Sequence, residues 1–273
     1  MTAPPLSPFI LIKSAGEMAS GVAWRLYMAN MRRICMIDLE DPLCVRRTVS
    51  FCPALEMGAA TVEDVEAVAA HSAADIRAAW RQQRIPVMRT NDWETIGFDP
   101  PDVVVDAVIA KRNLGTRPSD APLVIALGPG FEAGVDCHAV VETNRGHNLG
   151  RVMTSGFAEP NTGVPGDIAG HTAARVLRAP TAGLFHSDHR IGDRVREGEV
   201  VGEVDGAPVR AGVDGVLRGL LRSDTPVPTG LKLGDVDPRC APEHCHTVSD
   251  KARALGGAVL EAIMRHCNRG AAA

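Results

Sequence analysis

A strand, glycine turn and helix near the start of the chain constrain the fold more than any other feature. The apolar run at residues 9–12 has the length of a buried parallel strand, and Met18, Val22 and Leu26 then recur at helical spacing. Gly16 lies at the bend between the two. Because glycine has no Cβ and a new helix presents unpaired N–H groups, this turn is suited to the phosphate of a nucleotide.

A second predicted strand, residues 33–37, ends in Asp38 about twenty residues further on, where the dinucleotide fingerprint places a carboxylate for the ribose. The fingerprint is incomplete, because its first glycine is Ser14 here and its third is Ala19. A serine can replace the first glycine only if its φ is negative. A bound nucleotide and an empty strand-turn-helix both remain open. The predicted ligand contacts at this turn are Ser14, Ala15, Gly16, Glu17, Met18 and Asp38.

Composition limits the class of protein. With 273 residues, 45% of them apolar, and a net charge of −4, the chain can form one large or two ordinary domains and has no general attraction to nucleic acid or anionic membranes. Its seven cysteines are odd in number and scattered, as expected for reduced thiols. No basic leader and no run of about twenty apolar residues is present, so we expect a cytoplasmic protein that uses no membrane.

Two adjacent arginines, Arg46 and Arg47, follow the opening motif in a loop-like segment. A guanidinium group makes two parallel charge-assisted hydrogen bonds to an anion, which suits phosphate. The alternative is a solvated surface pair. Their position after the turn favours a role in ligand binding.

The segment that follows predicts alternating helices and strands. Helices are expected at residues 62–70 and 72–84, the second with Ser72 as N-cap. Strands are expected at 85–88, 103–109, 122–127 and 139–142. This alternation predicts a parallel α/β sheet, whose ligands bind at the carboxyl ends of the strands. The polar residues predicted at that edge are Lys111, Arg112, Asn113, Phe131, Glu132, Thr143, Asn144, Arg145, Gly146 and His147, and we add Lys111 and Asn113 to the candidate ligand contacts.

From residue 179 the pattern changes to short strands with Gly-Asp and Glu-Gly turns, and residues 211–234 repeat the pattern of 179–202. Two such halves resemble the barrel-sandwich hybrid of biotinyl and lipoyl carriers. A carrier needs a lysine at the hairpin between the halves, and residues 202–210 contain none. The predicted fold class is therefore α/β, a Rossmann-like parallel sheet domain with an inserted or appended all-β barrel-sandwich hybrid that does not act as a carrier.

The predicted boundaries are 1–177 for the nucleotide-binding domain, 178–238 for the barrel, and 239–273 for a C-terminal loop and helix that packs back on the first domain. Ser249 and Asp250 can cap this helix, and Gly256 and Gly257 inside it suggest close approach of another backbone or a ligand. A dense group of soft ligands precedes it, but its spacing is poor for a structural metal, and none is assigned. Its members are Cys240, His244, Cys245 and His246.

Long blocks of the sequence resemble the accessory protein family of the selenium-dependent molybdenum hydroxylase system. The blocks lie in order and cover nearly the whole chain, with Ser14 as a departure where the family usually has glycine. They are residues 12–23, 42–51, 105–113, 128–131 and 249–257.

The resemblance implies an accessory or maturation factor for a molybdenum hydroxylase. Its α/β domain would hold molybdopterin dinucleotide or another dinucleotide, and its barrel would contact the client enzyme. The first alternative is an NAD-dependent oxidoreductase, for which Lys111 and His147 are the only proton-transfer candidates. The second is a non-catalytic scaffold. Whether the protein is an enzyme is left open.

Overall fold

The structure, a computed structural model, describes residues 7–268 and divides into two compact units. Unit 1 consists of residues 7–42, 50–161 and 248–268, and unit 2 of residues 43–49 and 162–247. The chain therefore leaves unit 1 twice and returns to it with its last helix. The predicted boundaries at 177 and 238 stay predictions, because the compact units describe contacts and not independently folding domains.

A nine-stranded sheet forms the centre of unit 1. Seven neighbouring strands run parallel, in the spatial order β9-β7-β6-β1-β2-β5-β4, and an antiparallel strand closes each edge, β10 beside β9 and β3 beside β4. The strands are β1 (Ile10–Lys13), β2 (Ile34–Asp38), β3 (Ala59–Val62), β4 (Val65–Ala69), β5 (Ile85–Arg89), β6 (Val103–Asp106), β7 (Leu123–Leu127), β9 (Ala139–Val141) and β10 (Val152–Met153). A separate antiparallel pair consists of β8 (Glu132–Ala133) and β11 (Gly156–Phe157). Strand order reverses at β1, which lies between β2 and β6.

Five α-helices lie within the described part of the chain: α1 (Glu17–Met28), α2 (Ala54–Met57), α3 (Ala73–Arg81), α4 (Thr90–Thr95) and α5 (Asp250–Asn268). The predicted N-cap of α3 is confirmed, because Ser72 Oγ accepts a hydrogen bond from Asp75 N at 3.2 Å. Phe9 is fully buried against Trp80 and Phe98, with ring centroids 5.3 and 5.5 Å away in edge-on contact. No helix within residues 7–268 is long and apolar enough to cross a lipid bilayer.

Helices α1 and α5 pack side by side and run in the same direction. An ideal Cβ on Gly21 would lie 2.6 Å from Ala252 Cβ, and one on Gly256 would lie 2.9 Å from Gly21 O and 2.7 Å from Arg25 Cβ. The prediction that a backbone approaches Gly256 closely is confirmed. Gly257 has no neighbour within 4 Å of its ideal Cβ, so the same prediction is wrong there.

Two antiparallel sheets of four strands make up the regular part of unit 2, in the orders β12-β19-β17-β14 and β16-β15-β13-β18. The strands are β12 (Val176–Arg178), β13 (Gly183–His186), β14 (Arg194–Val195), β15 (Val200–Val204), β16 (Ala207–Arg210), β17 (Gly215–Leu220), β18 (Thr225–Val227) and β19 (Lys232–Asp237). Both sheets contribute to one apolar cluster that includes Phe185, Val204, Leu217 and Val236.

The predicted fold class is wrong. The large sheet is mixed and not parallel throughout, and the connections from β6 to β7 and from β7 to β9 contain no α-helix within the described residues. Strands of the two repeated halves pair across the repeat, β14 with β17 and β13 with β18, and form two separate antiparallel sheets instead of the expected barrel-sandwich hybrid. The helix predicted at 62–70 is also wrong, since these residues form the end of β3, a turn and β4.

Two buried aspartates hold the end of β19 in unit 2. Asp235 Oδ2 accepts hydrogen bonds from Arg218 Nη2 at 2.9 Å and Arg175 Nη1 at 3.2 Å, and Asp237 Oδ2 accepts one from Arg239 Nη2 at 2.6 Å. Burial disfavours ionisation of Asp237, but the hydrogen bonds from Arg239 and the charge of Arg218 outweigh burial and lower its pKa to about 2.

Replacing Gly256 and Gly257 separately tests the helix contact. Gly256→Ala should lower the free energy of unfolding by about 1 to 3 kcal/mol, because the new methyl group overlaps α1. Gly257→Ala is the matched control and should raise it by about 0.5 to 1 kcal/mol through helix propensity alone. Urea denaturation followed by tryptophan fluorescence measures both, since Trp24, Trp80 and Trp93 all lie in unit 1. Equal effects of the two substitutions would contradict the close packing.

Unit 2 should lose stability in acid. A carboxyl group with a lowered folded-state pKa stabilises the fold above the unfolded-state pKa of about 4, and this contribution disappears as pH falls toward 2. Asp237→Asn should therefore cost about 2 kcal/mol at pH 7 and nearly nothing at pH 2. Amide hydrogen exchange in β17 and β19 reports this locally. If Asp237→Asn reduces the protection of these amides equally at pH 7 and at pH 2, relative to wild type, the ion pair is not the cause.

Candidate functional site

The turn between β1 and α1 lies where the strand order of the sheet reverses, and it comprises Ser14, Ala15 and Gly16. Ser14 has φ +90°, a left-handed conformation that costs a residue with a side chain about 1 to 3 kcal/mol. The condition for serine to replace the fingerprint glycine, a negative φ, is therefore not met. Ser14 is held by three hydrogen bonds: its N–H donates to Ile37 O at 2.6 Å, its Oγ accepts from Gly16 N at 3.1 Å, and its Oγ donates to Asp38 Oδ2 at 3.4 Å.

The Asp38 carboxylate closes onto this turn. Its Oδ2 accepts a hydrogen bond from Ala15 N at 2.6 Å, and its Oδ1 accepts one from Leu39 N at 2.8 Å. Burial raises the pKa of Asp38, although these hydrogen bonds work in the opposite direction. The Asp38 carboxylate therefore binds Ala15 N–H, a donor that the dinucleotide fingerprint leaves to the ligand. A ribose hydroxyl that donates to Asp38 would have to share this carboxylate with Ala15 N–H.

The first turn of α1 contains backbone donors that no group of the described residues satisfies. Within residues 7–268, the backbone N–H groups of Glu17, Met18 and Ala19 make no hydrogen bond. Gly16 has φ −72°, and its ideal Cβ would meet only Ser14 Oγ, at 3.5 Å. The space beside Gly16 is therefore open, and its backbone would tolerate a side chain.

The N-terminus of α5 lies beside that of α1. Ser249 Oγ accepts a hydrogen bond from Ala252 N at 3.3 Å, which confirms the predicted cap, and donates one to Glu17 Oε1 at 3.0 Å. The positive ends of two helix dipoles therefore meet at the carboxyl edge of the sheet.

Lys251, in the first turn of α5, faces charged groups from three neighbouring elements. These are Glu17 of α1, Glu142 directly after β9, and Arg145 in the following loop, with Asp250 on its own helix. Burial, followed by the charge of Arg145, lowers the pKa of the Lys251 ammonium group despite the three carboxylates.

Lys111 and Asn113 belong to a loop that is bonded to itself. Asn113 Oδ1 accepts hydrogen bonds from Gly115 N and Thr116 N, both at 2.8 Å, while Lys111 is exposed with φ +64°. A polar network lies under this loop: Lys13 Nζ contacts Asp120 Oδ2 at 2.9 Å and Thr116 Oγ1 at 2.8 Å. Asn113 therefore stabilises the loop, and its predicted ligand contact stays a prediction.

Arg46 and Arg47 belong to unit 2, whereas the β1–α1 turn belongs to unit 1. Arg46 is 3% exposed and donates from Nη2 to His244 O at 2.9 Å, and Arg47 donates from Nε to Leu220 O at 3.1 Å. Neither arginine is the solvated surface group that was the alternative for this pair. The structure thus groups Ser14, Ala15, Gly16 and Asp38 at one turn, with Glu17 and Met18 on the helix that follows.

Sequence reasoning missed Lys251 and Glu142 and did not single out Arg145 from its neighbours. The scarcity of lysine, with only four in the chain, was the one signal that pointed to Lys251. Its approach to Glu17 joins residues more than two hundred positions apart, and no local pattern encodes that contact. Within the described residues, no group of three or more His, Cys, Asp or Glu side chains is arranged to hold a metal ion.

No family model matches the chain. The chain is 48% identical over 261 residues to the uncharacterized protein YqeB of Escherichia coli K12, an alignment that covers 96% of this chain and 48% of YqeB. The chain thus spans about half the length of the curated relative it matches.

Among solved structures, the chain shows weak likeness to three proteins. An aspartoacylase family protein from Mesorhizobium loti aligns over 85% of each chain with 13% identity and a TM-score of 0.27. The ectoine utilization protein EutE from Ruegeria pomeroyi aligns over 83% of this chain and 56% of its own, with 9% identity and a TM-score of 0.23. A succinylglutamate desuccinylase/aspartoacylase from Rhodobacter sphaeroides covers 23% of this chain and 22% of its own, at 30% identity and a TM-score of 0.20. Scores this low say nothing about the activity of this chain.

The assignment to the accessory family of the molybdenum hydroxylase system is wrong. No family model supports it, and the similar protein YqeB is uncharacterized and gives no link to that family. The maturation function inferred from that assignment is wrong with it, and the comparisons do not support the oxidoreductase or scaffold alternatives. A dinucleotide ligand and a protein partner are tested by none of these findings and stay predictions.

Removing the Asp38 carboxylate tests its role at the turn. Asp38→Ala leaves Ala15 N–H and Leu39 N–H without this acceptor and should lower the free energy of unfolding by about 1 to 3 kcal/mol. Asp38→Asn keeps one acceptor oxygen and should cost less. Urea denaturation monitored by the unit 1 tryptophans compares the two variants. If alanine is tolerated as well as asparagine, the carboxylate does not organise the turn.

Proposed function

We propose that unit 1 binds a small molecule through an anionic group, a carboxylate or a phosphate, at the N-terminus of α1. The observation that carries this proposal is the uncapped first turn of α1 behind Gly16, at the point where strand order reverses. In open α/β sheets, ligands bind outside the carboxyl ends of the strands at such a point.

A comparison of the three longest helices supports the location. The N-termini of α3 and α5 are capped by Ser72 and Ser249, whereas the N-cap of α1 is Gly16, which has no side chain to offer. Three backbone N–H donors and the positive end of the helix dipole therefore lie open at one place. An anion is the ligand that such donors favour.

The state of the turn limits what the anion can be. Ala15 N–H and Gly16 N–H are already bonded to Asp38 and Ser14, so only the first turn of α1 has donors to offer. This favours a single carboxylate or phosphate group over the extended contact that a pyrophosphate makes across a glycine loop. A dinucleotide remains one member of the class, bound through one of its phosphates.

A cytoplasmic location is part of the proposal. No disulfide bond joins the cysteines of the described residues, and Cys35, Cys137 and Cys245 are buried as thiols whose pKa values are raised by burial. This usage is typical of proteins kept in a reducing compartment.

The proposal is tested by titrating the full chain with inorganic phosphate and with succinate in a calorimeter. Wild type should bind at least one of the two. Gly16→Val should fold, because φ at this position is −72°, and should lose binding by at least about tenfold, because the branched side chain fills the space in front of the donors. Gly16→Ala should show an intermediate loss.

Two results would overturn the proposal: failure of the wild-type protein to bind either anion, or equal affinities of wild type and a folded Gly16→Val. Native mass spectrometry of the purified chain provides the complementary measurement, since a retained ligand reports its own mass.

A further inference from the structure

The chain segment that leaves unit 1 after β2 is hydrogen-bonded into unit 2. Val45 O accepts a hydrogen bond from Leu220 N at 2.8 Å, and Arg47 donates from Nε to Leu220 O at 3.1 Å. Thr48 Oγ1 donates to Cys245 O at 2.5 Å. Strand β17 and a short helical turn after β19 therefore hold this segment at three points, all of them within unit 2.

The residues that follow directly are hydrogen-bonded to the β1–α1 turn of unit 1. Phe51 N donates to Ala15 O at 3.1 Å and to Ser20 Oγ at 2.8 Å. Cys52 N also donates to Ala15 O, at 2.9 Å, and so does Ser20 Oγ, at 2.9 Å. Ser20 and Phe51 are fully buried, and Cys52 is 2% exposed. One carbonyl oxygen of the turn thus receives three hydrogen bonds, two of them from the returning chain.

These hydrogen bonds fix the peptide group between Ala15 and Gly16. A trans peptide group is planar, so its C=O and its N–H point in opposite directions and rotate together. The C=O of this group is held by the N–H groups of residues 51 and 52. Its N–H, which belongs to Gly16, donates to Ser14 Oγ at 3.1 Å. A rotation that changes the direction of the Gly16 donor must therefore break the bonds to the returning chain.

No slack separates the two sets of hydrogen bonds. Only Val49 and Ser50 lie between Thr48 and Phe51, and each of the two is 1% exposed. Three steps of the chain span at most about 11 Å, so Phe51 N–H loses its bonds if Thr48 moves away by more than this reach allows. Every hydrogen bond named lies within one unit, and only peptide bonds join the two sets.

We propose that residues 45–52 form a strap through which unit 2 fixes the Ala15–Gly16 peptide group of unit 1. While the first half of the strap is bonded in unit 2, its second half holds the Ala15 carbonyl group. A change in unit 2 that releases the strap frees this carbonyl group and the Gly16 N–H with it. The strap does not depend on the proposed anion, because all of its contacts are made within the chain.

Amide hydrogen exchange of the full chain, followed residue by residue by nuclear magnetic resonance, tests the strap. Thr48→Val keeps the shape of the side chain but removes the hydrogen bond to Cys245 O. Three amides of unit 1, those of Gly16, Phe51 and Cys52, should then exchange at least about threefold faster, because loosening one end of the strap opens the other.

Thr225→Val is the matched control. It removes a hydrogen bond from a threonine hydroxyl group to Arg222 O at 2.8 Å, also within unit 2 but outside the strap. This variant should leave the three unit 1 amides at their wild-type exchange rates. The amides of β7 report the stability of unit 1 as a whole, and neither variant should change their exchange.

A second pair of variants tests the strap at another point. Arg47→Ala removes the hydrogen bond to Leu220 O. Arg178→Ala removes a comparable hydrogen bond in unit 2, from an exposed arginine to Gly230 O at 2.9 Å. Only Arg47→Ala should accelerate exchange at the three unit 1 amides, again by at least about threefold.

Three results would overturn the proposal. The first is exchange of the three unit 1 amides at the wild-type rate in both strap variants. The second is acceleration in the two controls that equals the acceleration in the strap variants. The third is an equal acceleration in β7, since unit 1 would then have loosened as a whole.

Discussion

The contact between α1 and α5 is the constraint on which the rest of unit 1 depends. Gly21 and Gly256 let the two backbones approach so closely that an ideal Cβ on either would lie under 3 Å from its neighbour. This approach aligns the helices in parallel and brings a terminal segment of the chain to the first strand-turn-helix of the sheet. The charged groups that converge there come from α1, from the loop after β9 and from α5, and only this packing joins them. The charged groups of the candidate site therefore come together because Gly21 and Gly256 allow α1 and α5 to pack closely.

Asp38 and Ser14 explain why the opening motif looks like a dinucleotide fingerprint without matching it. A glycine at position 14 would adopt φ +90° at no steric cost, but it would have no hydroxyl to accept a hydrogen bond from Gly16 N. Serine at position 14 has a strained φ, but its hydroxyl accepts the hydrogen bond from Gly16 N. Asp38 then satisfies Ala15 N–H. The turn thus stabilises itself with its own oxygen atoms, whereas a glycine-rich loop leaves the same donors to a ligand.

Local patterns predicted the elements that depend on local physics. The β1–α1 turn, the Ser72 cap and strands such as β5 and β7 appear close to where spacing and capping residues place them. The helix predicted at 62–70 is wrong because Glu63, with φ +51°, begins a turn, and the following segment is extended, with Val65 and Ala67 buried on either side of the less buried Glu66. The mixed sheet and the pairing of the repeated halves depend on contacts between distant segments, which periodicity does not record. Lys251 was missed for the same reason, since its environment comes from positions 17, 142 and 145.

The two halves of the candidate site differ in how their charged and polar groups are satisfied. At the β1–α1 turn, Asp38 and Ser14 accept the hydrogen bonds of Ala15 N and Gly16 N. The N–H groups in the first turn of α1 have no partner within the described residues. At the N-terminus of α5, Glu142 and Asp250 accept hydrogen bonds from other groups of the chain. The Lys251 amine forms no ion pair within the described residues. Open N–H donors at the start of a helix favour an anion, which agrees with the proposed anion site.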